Sequence, residues 1–154
     1  MKAITNSKRK GEVGELAFAC AAMERGLRVY EPYGDSAPYD FIIEGPKGLL
    51  RVQVRSVWQK SRFYHIGCMW TSRRKSYSRK DIDLVAAYIA PEKLWYLVPV
   101  EAVADRKSIY VWPHSKNSRG LWEKYRERWE LLGARSLTPR PRRGAARARR
   151  GKAA

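Results

Sequence analysis

The chain opens with a segment of helical periodicity that runs from about Lys8 to Arg25. Its apolar residues recur three and four positions apart and form one stripe, which consists of Val13, Leu16, Ala17, Cys20 and Ala21. Gly26 follows at the position where a left-handed C-terminal cap is expected. The pattern predicts an amphipathic helix that packs on a core through one face.

Short β-rich runs follow the helix. Leu27–Glu31 predicts a first strand, and the runs Tyr39–Glu44 and Leu49–Ser56 flank the turn-forming segment Gly45-Pro46-Lys47-Gly48. The two runs therefore predict a hairpin. In its second strand, apolar residues alternate with polar ones, so that one face would present Leu50, Val52 and Val54 and the other Arg51, Gln53 and Arg55.

The second half of the chain predicts more strands and a closing helix. The strand candidates are Arg62–Thr71, Leu84–Ile89, Leu94–Val98 and Ile109–Trp112. Helical spacing of Trp122, Tyr125, Trp129 and Leu132 predicts a C-terminal helix, with Ser118 as a candidate N-cap. Helix, strands and helix in this order indicate one α/β (α+β) domain with a mixed sheet over residues 1–133.

Charge narrows the choice of partner. The 154 residues carry 32 Lys and Arg against 15 Asp and Glu, a formal net charge of +17. Eight of the basic residues lie in an acid-free segment, residues 134–154, which is interpreted as a disordered basic tail; without them the charge is still +9. A field of this sign favours polyanions. We expect a nucleic-acid partner rather than a membrane, because no apolar run is long enough to span one.

Cysteine usage excludes two classes of protein. Only Cys20 and Cys68 are present, without a C-x-x-C pair or a matching histidine motif. This argues against a disulfide scaffold and against a zinc site. Together with a polar N-terminus that lacks a secretory signal, it predicts a cytoplasmic protein associated with the nucleoid.

The predicted hairpin brings candidate chemistry together. A hairpin centred between Pro46 and Lys47 places Asp40 opposite Gln53 on one face of the sheet. Arg55, two residues further along, projects from the same face. A carboxylate and an amide oxygen form a plausible site for a hard cation, since Mg²⁺ takes few protein ligands and keeps several waters.

These residues resemble the PD-(D/E)XK nuclease superfamily, and within it a small group that includes intron-encoded homing endonucleases. Its bipartite signature is similar to Pro38-Tyr39-Asp40 followed by Gln53-Val54-Arg55. The resemblance extends from about Gly11 to Leu132 and includes the segments Gly11-Glu12-Val13-Gly14-Glu15, Asp81-Ile82-Asp83-Leu84 and Trp95-Tyr96-Leu97-Val98-Pro99.

The resemblance implies a restriction-endonuclease-like αβββαβ core that cuts double-stranded DNA with Mg²⁺ or Mn²⁺. It implies that Asp40 is the principal metal ligand, that Gln53 is a second, and that Glu15 assists the metal or its waters. Arg55 stands where the family has its catalytic lysine; because arginine stays protonated, it cannot act as a general base. Family members act as dimers or tetramers, which implies a homo-oligomer here.

Other interpretations of these residues stay open. Asp40 is also typical of a residue that satisfies turn amides, Glu15 of a polar helix face, and Gln53 of a solvated strand position. His65 is expected to pack or to contact DNA. A dense run in the loop Ser72–Lys80 predicts phosphate contacts by Arg73, Arg74, Lys75, Tyr77, Arg79 and Lys80.

Three functions compete on this basis. The first is a metal-dependent endodeoxyribonuclease, and the second is a nucleic-acid-binding protein with a nuclease scaffold but little or no catalysis. The third is a basic structural partner of a ribonucleoprotein, which would prefer folded RNA to duplex DNA. Whether Asp40 holds a metal ion separates the first function from the second, because binding by a non-catalytic protein would be indifferent to Asp40→Ala and to chelation.

Overall fold

The structure, a computed structural model, describes residues 4–46, 48–115 and 120–134. The predicted tail lies outside this part of the chain except for Ala134, and so does the candidate N-cap Ser118. Among the described residues, no helix combines the length and apolar character needed to cross a bilayer.

The first helix, α1 (Ser7–Glu24), confirms the helical pattern. The side chain of its N-cap residue, Asn6, accepts a hydrogen bond from the backbone N–H of Arg9. Such a bond satisfies one of the amides that the first turn leaves without a partner. At the other end, Gly26 takes a left-handed conformation with φ of 78°, which glycine adopts without a steric penalty.

The described residues form nine strands and one further short α-helix. They are β1 (Arg28–Tyr30), β2 (Phe41–Gly45), β3 (Gly48–Val57), β4 (Tyr64–Gly67), β5 (Met69–Trp70), β6 (Lys75–Ser76), β7 (Leu84–Ile89), β8 (Leu94–Pro99), α2 (Val100–Val103) and β9 (Ser108–Val111).

A five-stranded sheet of order β1-β2-β3-β7-β8 is the centre of the fold. All neighbours are antiparallel except β3 and β7, which run parallel. The mixed α/β class is therefore confirmed. The hairpin register is also the predicted one: Phe41 lies opposite Val52 and Gly45 opposite Gly48. The backbone N–H of Asp40 continues the ladder with a 2.9 Å hydrogen bond to the carbonyl of Val52.

The connection from β3 to β7 differs from the αβββαβ pattern that the family resemblance implies. Instead of an α-helix, its described residues form β4, β5, a 3₁₀ turn at Thr71–Arg73, and β6. The single strand predicted over Arg62–Thr71 is accordingly wrong, because β4 pairs with β9 whereas β5 pairs with β6. Each short strand takes a different partner, and the chain passes from one pair to the other at Cys68.

Two hydrophobic clusters cover the two faces of the sheet. On one face, Val52 and Val54 of β3 pack with the helix residue Phe18 and with the C-terminal residues Trp129 and Leu132. On the other face, β7 and β8 pack beneath β4, β9 and neighbouring residues that include Tyr64, Tyr77 and Trp122. The alternation predicted for β3 is thus confirmed, since Val52 and Val54 face α1 whereas Arg55 reaches Tyr77 on the other face.

The predicted C-terminal helix is wrong. The segment forms two short 3₁₀ turns, Glu123–Tyr125 and Trp129–Leu132, separated at Glu127 by a left-handed residue with φ of 51°. The edge strand β8 provides the reason: Glu127 donates its backbone N–H to the carbonyl of Trp95, and the Glu127 carboxylate accepts from the Trp95 N–H. Bonding to this open edge replaces the internal hydrogen bonds of a helix.

Gly14 fixes how closely α1 approaches β3. A Cβ atom at this position would lie 2.7 Å from the Cβ of Ser56, which is too close for two carbon atoms. The helix can therefore approach the strand this closely only because residue 14 has no side chain. This contact sets the position of the next helix residue, Glu15, relative to the end of β3.

We expect Gly14→Ala to destabilise the protein by about 1–3 kcal/mol, because the added methyl group overpacks the contact with Ser56. Gly11→Ala is the matched control in the same helix, since a Cβ atom added there would meet nothing within 4 Å. It should stabilise the protein by up to about 1 kcal/mol through helix propensity. Urea denaturation of both variants measures the two effects; equal shifts would contradict the close-contact interpretation.

Candidate active site

A cavity opens where β3 extends past the start of β2. Because β2 begins at Phe41, opposite Val52, the residues of β3 from Gln53 onward have no β2 neighbour on that side. The space left there, the site cavity, has a volume of about 580 Å³. Its lining includes Lys10, Glu15, Asp40, Gln53, Arg55 and His65.

Asp40 is held in place at the floor of this cavity. Its Oδ2 accepts a 2.6 Å hydrogen bond from Gln53 Nε2 and a 2.7 Å hydrogen bond from the backbone N–H of Val54. Burial raises the pKa of Asp40 above its usual value, and the Val54 hydrogen bond and the charge of Arg55 offset only part of that rise. The carboxylate is therefore held in one orientation, while its surroundings stabilise its negative charge only in part. A carboxylate in this situation is suited to binding a cation.

Gln53 contributes its nitrogen rather than its oxygen to this contact. The residue is only 8% exposed, and Nε2 donates to Asp40 and also to the Val54 carbonyl at 3.2 Å. Two acceptors beside one atom fix that atom as the amide nitrogen. In this orientation Gln53 positions Asp40, and the amide would have to rotate for its oxygen to join Asp40 Oδ2 on one cation.

Glu15 reaches the same cavity from α1. Burial raises its pKa, and so do the negative charges of Asp40, Glu12 and Glu31, whereas Arg55 lowers it. The structure thus brings together the two carboxylates that sequence reasoning singled out. Their repulsion and partial burial both disfavour the doubly charged state, which a bound cation would relieve.

Arg55 lines the cavity but its guanidinium is anchored. Nη2 donates to the Met69 carbonyl at 2.9 Å and to the Tyr77 hydroxyl at 2.7 Å. Nε is buried without a hydrogen-bond partner among the described residues, and none of the described carboxylates forms an ion pair with Arg55. Its charge nevertheless lowers the pKa of Asp40 and of Glu15. Arg55 therefore acts as a fixed positive charge beside two acids.

Tyr77 corrects the prediction for the basic loop. The residue is only 2% exposed and belongs to the core beneath the sheet, so its ring cannot stack on a nucleic acid from the loop surface. Its hydroxyl instead orients Arg55. The residues around Tyr77 are charged or carry hydroxyl groups, so the local sequence does not indicate that Tyr77 is buried.

The cations of the loop divide into two groups. Lys75 pairs with Asp81 at 2.8 Å, and Arg79 forms an ion pair with Glu101. The guanidinium of Arg73 lies 4.7 Å from the centre of the Trp70 ring. Arg74 and Lys80 are exposed and form no ion pair with a described acid. The last three cations remain available for a phosphate backbone.

Sequence reasoning missed part of the cavity. Ser7 and Gly11 line it together with Glu15, at a spacing of four residues that places all three on one helix face. Two small residues followed by an acid on one helix face could have indicated that this face borders a cavity. Lys10 and His65 also line the cavity, but the position of His65 depends on the pairing of β4 with the distant strand β9, which the local sequence does not indicate.

Comparison with known proteins agrees with the geometry. The family described as PD-(D/E)XK endonuclease matches residues 5–132. Among solved structures, the bacterial homing endonuclease I-Ssp6803I aligns with a TM-score of 0.71 and 28% identity, covering 84% of this chain and 92% of its own. None of the curated proteins with which the sequence was compared matches it.

A second solved structure shares the fold. Hjc, a Holliday junction resolvase from the archaeal hyperthermophile Archaeoglobus fulgidus, aligns with a TM-score of 0.53 and 16% identity. The alignment covers 82% of this chain and 98% of that one. The family match and the likeness to the homing endonuclease support a nuclease. The chain belongs to the PD-(D/E)XK endonuclease family.

The family implies a divalent metal ion, and the donors present fit one. The described residues contain no group of three or more His, Cys, Asp and Glu side chains that could hold a metal. Mg²⁺ does not require one, because it usually binds one or two carboxylates and completes its shell with water and substrate phosphate. Asp40 and Glu15 supply two carboxylates to the site cavity, which are donors of the kind that hard divalent ions bind.

We expect Asp40→Asn to stabilise the protein at neutral pH in a chelating buffer, because asparagine keeps an acceptor for the Val54 N–H and removes a half-buried charge. Since the folded protein raises the pKa of Asp40, the wild type regains stability as the pH falls through that pKa. The difference between the two proteins should therefore shrink between neutral pH and about pH 4. Chemical denaturation at several pH values measures it.

Asp83→Asn is the control with the opposite sign. Burial by itself raises the pKa of Asp83, but hydrogen bonds from Arg51 more than offset this and lower it. The substitution should cost about 2 kcal/mol at neutral pH. That loss should disappear only as the pH falls below the usual range of an aspartate. If Asp40→Asn behaves in the same way as Asp83→Asn, the Asp40 charge is not destabilising.

Proposed function

We propose that this protein is a metal-dependent endonuclease that hydrolyses phosphodiester bonds in double-stranded DNA. One observation carries the proposal: Asp40, fixed by Gln53 and the Val54 N–H, shares the site cavity with Glu15 and Arg55. The likeness to a homing endonuclease and the formal charge of +17 support DNA as the substrate.

Asp40 and Glu15 would hold the metal ion, with the Gln53 oxygen as a third ligand once its amide has rotated. A bound Mg²⁺ or Mn²⁺ supplies a Lewis acid for the phosphate oxygen and lowers the pKa of a bound water. The hydrogen bond from the Val54 N–H would keep Asp40 in place while the Gln53 amide rotates, so Gln53 is the group that has to reorganise.

Arg55 takes only part of the role of the family lysine. It cannot accept a proton from water, because guanidinium stays charged at accessible pH. Fixed by Tyr77 and the Met69 carbonyl, it places a positive charge beside the cavity, where negative charge develops on the phosphate during hydrolysis. Arg55 therefore supplies electrostatic stabilisation rather than base catalysis.

DNA is proposed to lie across the cavity mouth and the basic loop. Arg73, Arg74 and Lys80 are the exposed loop cations suited to phosphate contacts, which position a duplex without reading its sequence. Cutting both strands requires two sites, so we propose that the protein acts as a homodimer or homotetramer. The tail predicted over residues 134–154 would add non-specific affinity.

A second function is favoured by the anchoring of Arg55. Because its guanidinium is already bonded to Tyr77 and Met69, the site has less freedom to adjust to substrate than one with a lysine. The alternative is a nucleic-acid-binding protein on a nuclease scaffold, with little or no catalysis. It would bind DNA in the same salt-sensitive manner whether or not a divalent ion is present.

We expect wild-type protein to nick supercoiled plasmid in Mg²⁺ or Mn²⁺, and Asp40→Asn to lower the rate by about 100-fold or more, as the loss of a group central to the reaction does. Asp105→Asn is the matched control, because Asp105 is exposed and has a left-handed φ of 63° that asparagine tolerates. Gel analysis measures the rates. No nicking in either ion, with DNA binding unaffected by chelation and by Asp40→Asn, would establish the non-catalytic alternative instead.

Replacement of Arg55 separates charge from basicity. Arg55→Met should lower the rate by about 10²–10³-fold, the loss seen when one preorganised donor is removed from a reacting site. Arg55→Lys keeps the charge and should preserve or raise the rate. Tyr77→Phe removes only the orienting hydroxyl and should cost about 10–100-fold. If Arg55→Met cleaves as fast as the wild type, Arg55 has only a structural role.

A further inference from the structure

The ribbon formed by β4 and β9 has an unusual outer face. Its inner side chains, Tyr64, Ile66, Ile109 and Val111, are at most 2% exposed and pack on the sheet. The side chains that alternate with them, or extend the two strands, point outward. Those of Phe63, His65, Tyr110 and Trp112 carry aromatic rings, whereas the outer pair at the other end of the ribbon, Gly67 and Ser108, does not. We refer to the four residues with rings as the aromatic row.

The rings of the aromatic row contact one another in sequence. Ring centres are separated by 5.2 Å between His65 and Tyr110, 5.9 Å between Tyr110 and Phe63, and 4.8 Å between Phe63 and Trp112. Phe63 is nevertheless 40% exposed and Tyr110 48% exposed. The outer face of a half-buried antiparallel ribbon is normally polar. A contiguous row of exposed rings is therefore characteristic of a binding surface.

One end of the row belongs to the site cavity. His65 lines that cavity together with Asp40 and Gln53, and it lies directly opposite Tyr110 in the ribbon. A strand whose phosphate enters the site cavity would therefore continue over Tyr110 and Phe63. The row is an extension of the site rather than a separate patch.

The other end of the row is basic. Trp112 lines a second cavity of about 530 Å³, whose wall also includes Lys60, Arg62 and His114. Among the described residues of that wall the one acid is Glu92, which accepts a hydrogen bond from the Tyr64 hydroxyl and lies 3.1 Å from His114 Nε2. Cations beside a row of exposed rings suit a ligand that carries both phosphates and planar bases. They suit an apolar protein surface less well.

We propose that the aromatic row binds unpaired nucleotides of the substrate strand, next to the phosphate held in the site cavity. Nucleobases stack on exposed aromatic rings, and basic side chains beside the rings take the phosphates. Bases inside an intact duplex are already stacked on each other and cannot use such a surface. The inference rests on the proposed nuclease function and extends it: the preferred substrate contains a single-stranded or opened segment beside the cut.

The test measures binding in a chelating buffer, so that cleavage does not enter. The probes are a fluorescein-labelled oligothymidylate of about 16 nucleotides, within the site size of single-strand-binding surfaces, and a duplex of equal length. Fluorescence anisotropy of the full chain should show that Tyr110→Ala weakens oligothymidylate binding about tenfold, the loss of one stacked base. Its effect on the duplex should be less than about twofold, within the roughly 0.5 kcal/mol range of surface substitutions.

Matched variants control for folding and for loss of any tyrosine. Tyr110→Phe keeps the ring and should bind as the wild type does. Tyr110→Leu keeps apolar packing without a flat ring and should show the same loss as Tyr110→Ala, which keeps the test valid if the alanine variant unfolds. Tyr30→Ala removes an equally exposed tyrosine, 45% against 48%, from the edge strand β1 and should leave binding unchanged.

Three results would overturn the inference. The first is oligothymidylate binding that is the same in Tyr110→Leu and wild type, and the second is an equal loss on single strand and duplex. The third is a smaller oligomer for Tyr110→Leu in sedimentation, with affinity for oligothymidylate unchanged, which would make the row a contact between copies of the chain. Failure of plasmid nicking by the wild type would instead refute the nuclease proposal, because binding here needs neither a metal nor cleavage.

Discussion

The antiparallel register of β2 and β3 is the constraint on which the site depends. With Phe41 opposite Val52, the side chain of Asp40 meets Gln53 and the N–H of Val54 just where β2 begins. A slip of one residue would turn the polar side chains of β3 toward α1 and its apolar side chains toward the cavity. The same pairing therefore determines both the packing of the core and the position of the carboxylate.

Because β3 continues beyond the first residue of β2, this register leaves a cavity beside the end of β3. The last residues of β3 pair with β7 on one side only, and α1 closes on them through Gly14. This brings Glu15 near Asp40 although the two residues come from different layers. Partial burial raises the pKa of both carboxyl groups, and the charge of Asp40 raises that of Glu15 further. The site is electrostatically unfavourable until a cation or protons enter it, as is common at functional positions.

Local signals were enough to predict the features that depend on local geometry. The turn at Gly45 to Gly48 centres the hairpin, and alternation in β3 assigns its faces, so the meeting of Asp40 and Gln53 could be derived from the sequence. The helix predicted around Trp122 and Trp129 could not be corrected in the same way, because the competing hydrogen bonds come from β8. The burial of Tyr77 and its hydrogen bond to Arg55 likewise depend on how β4, β5 and β6 are paired, which the local sequence does not indicate.

The two rims of the central sheet are protected by different means. On β8, Glu127 bonds to both backbone groups of Trp95, so part of that edge is already occupied. β1 at the opposite rim is only three residues long and carries the exposed Arg28, a short charged border of the kind that discourages strand addition. Self-association by continuous β-pairing is thus disfavoured at both edges of this sheet. A multimer of this protein is expected to be joined through side-chain surfaces instead, with the central sheet confined to a single subunit.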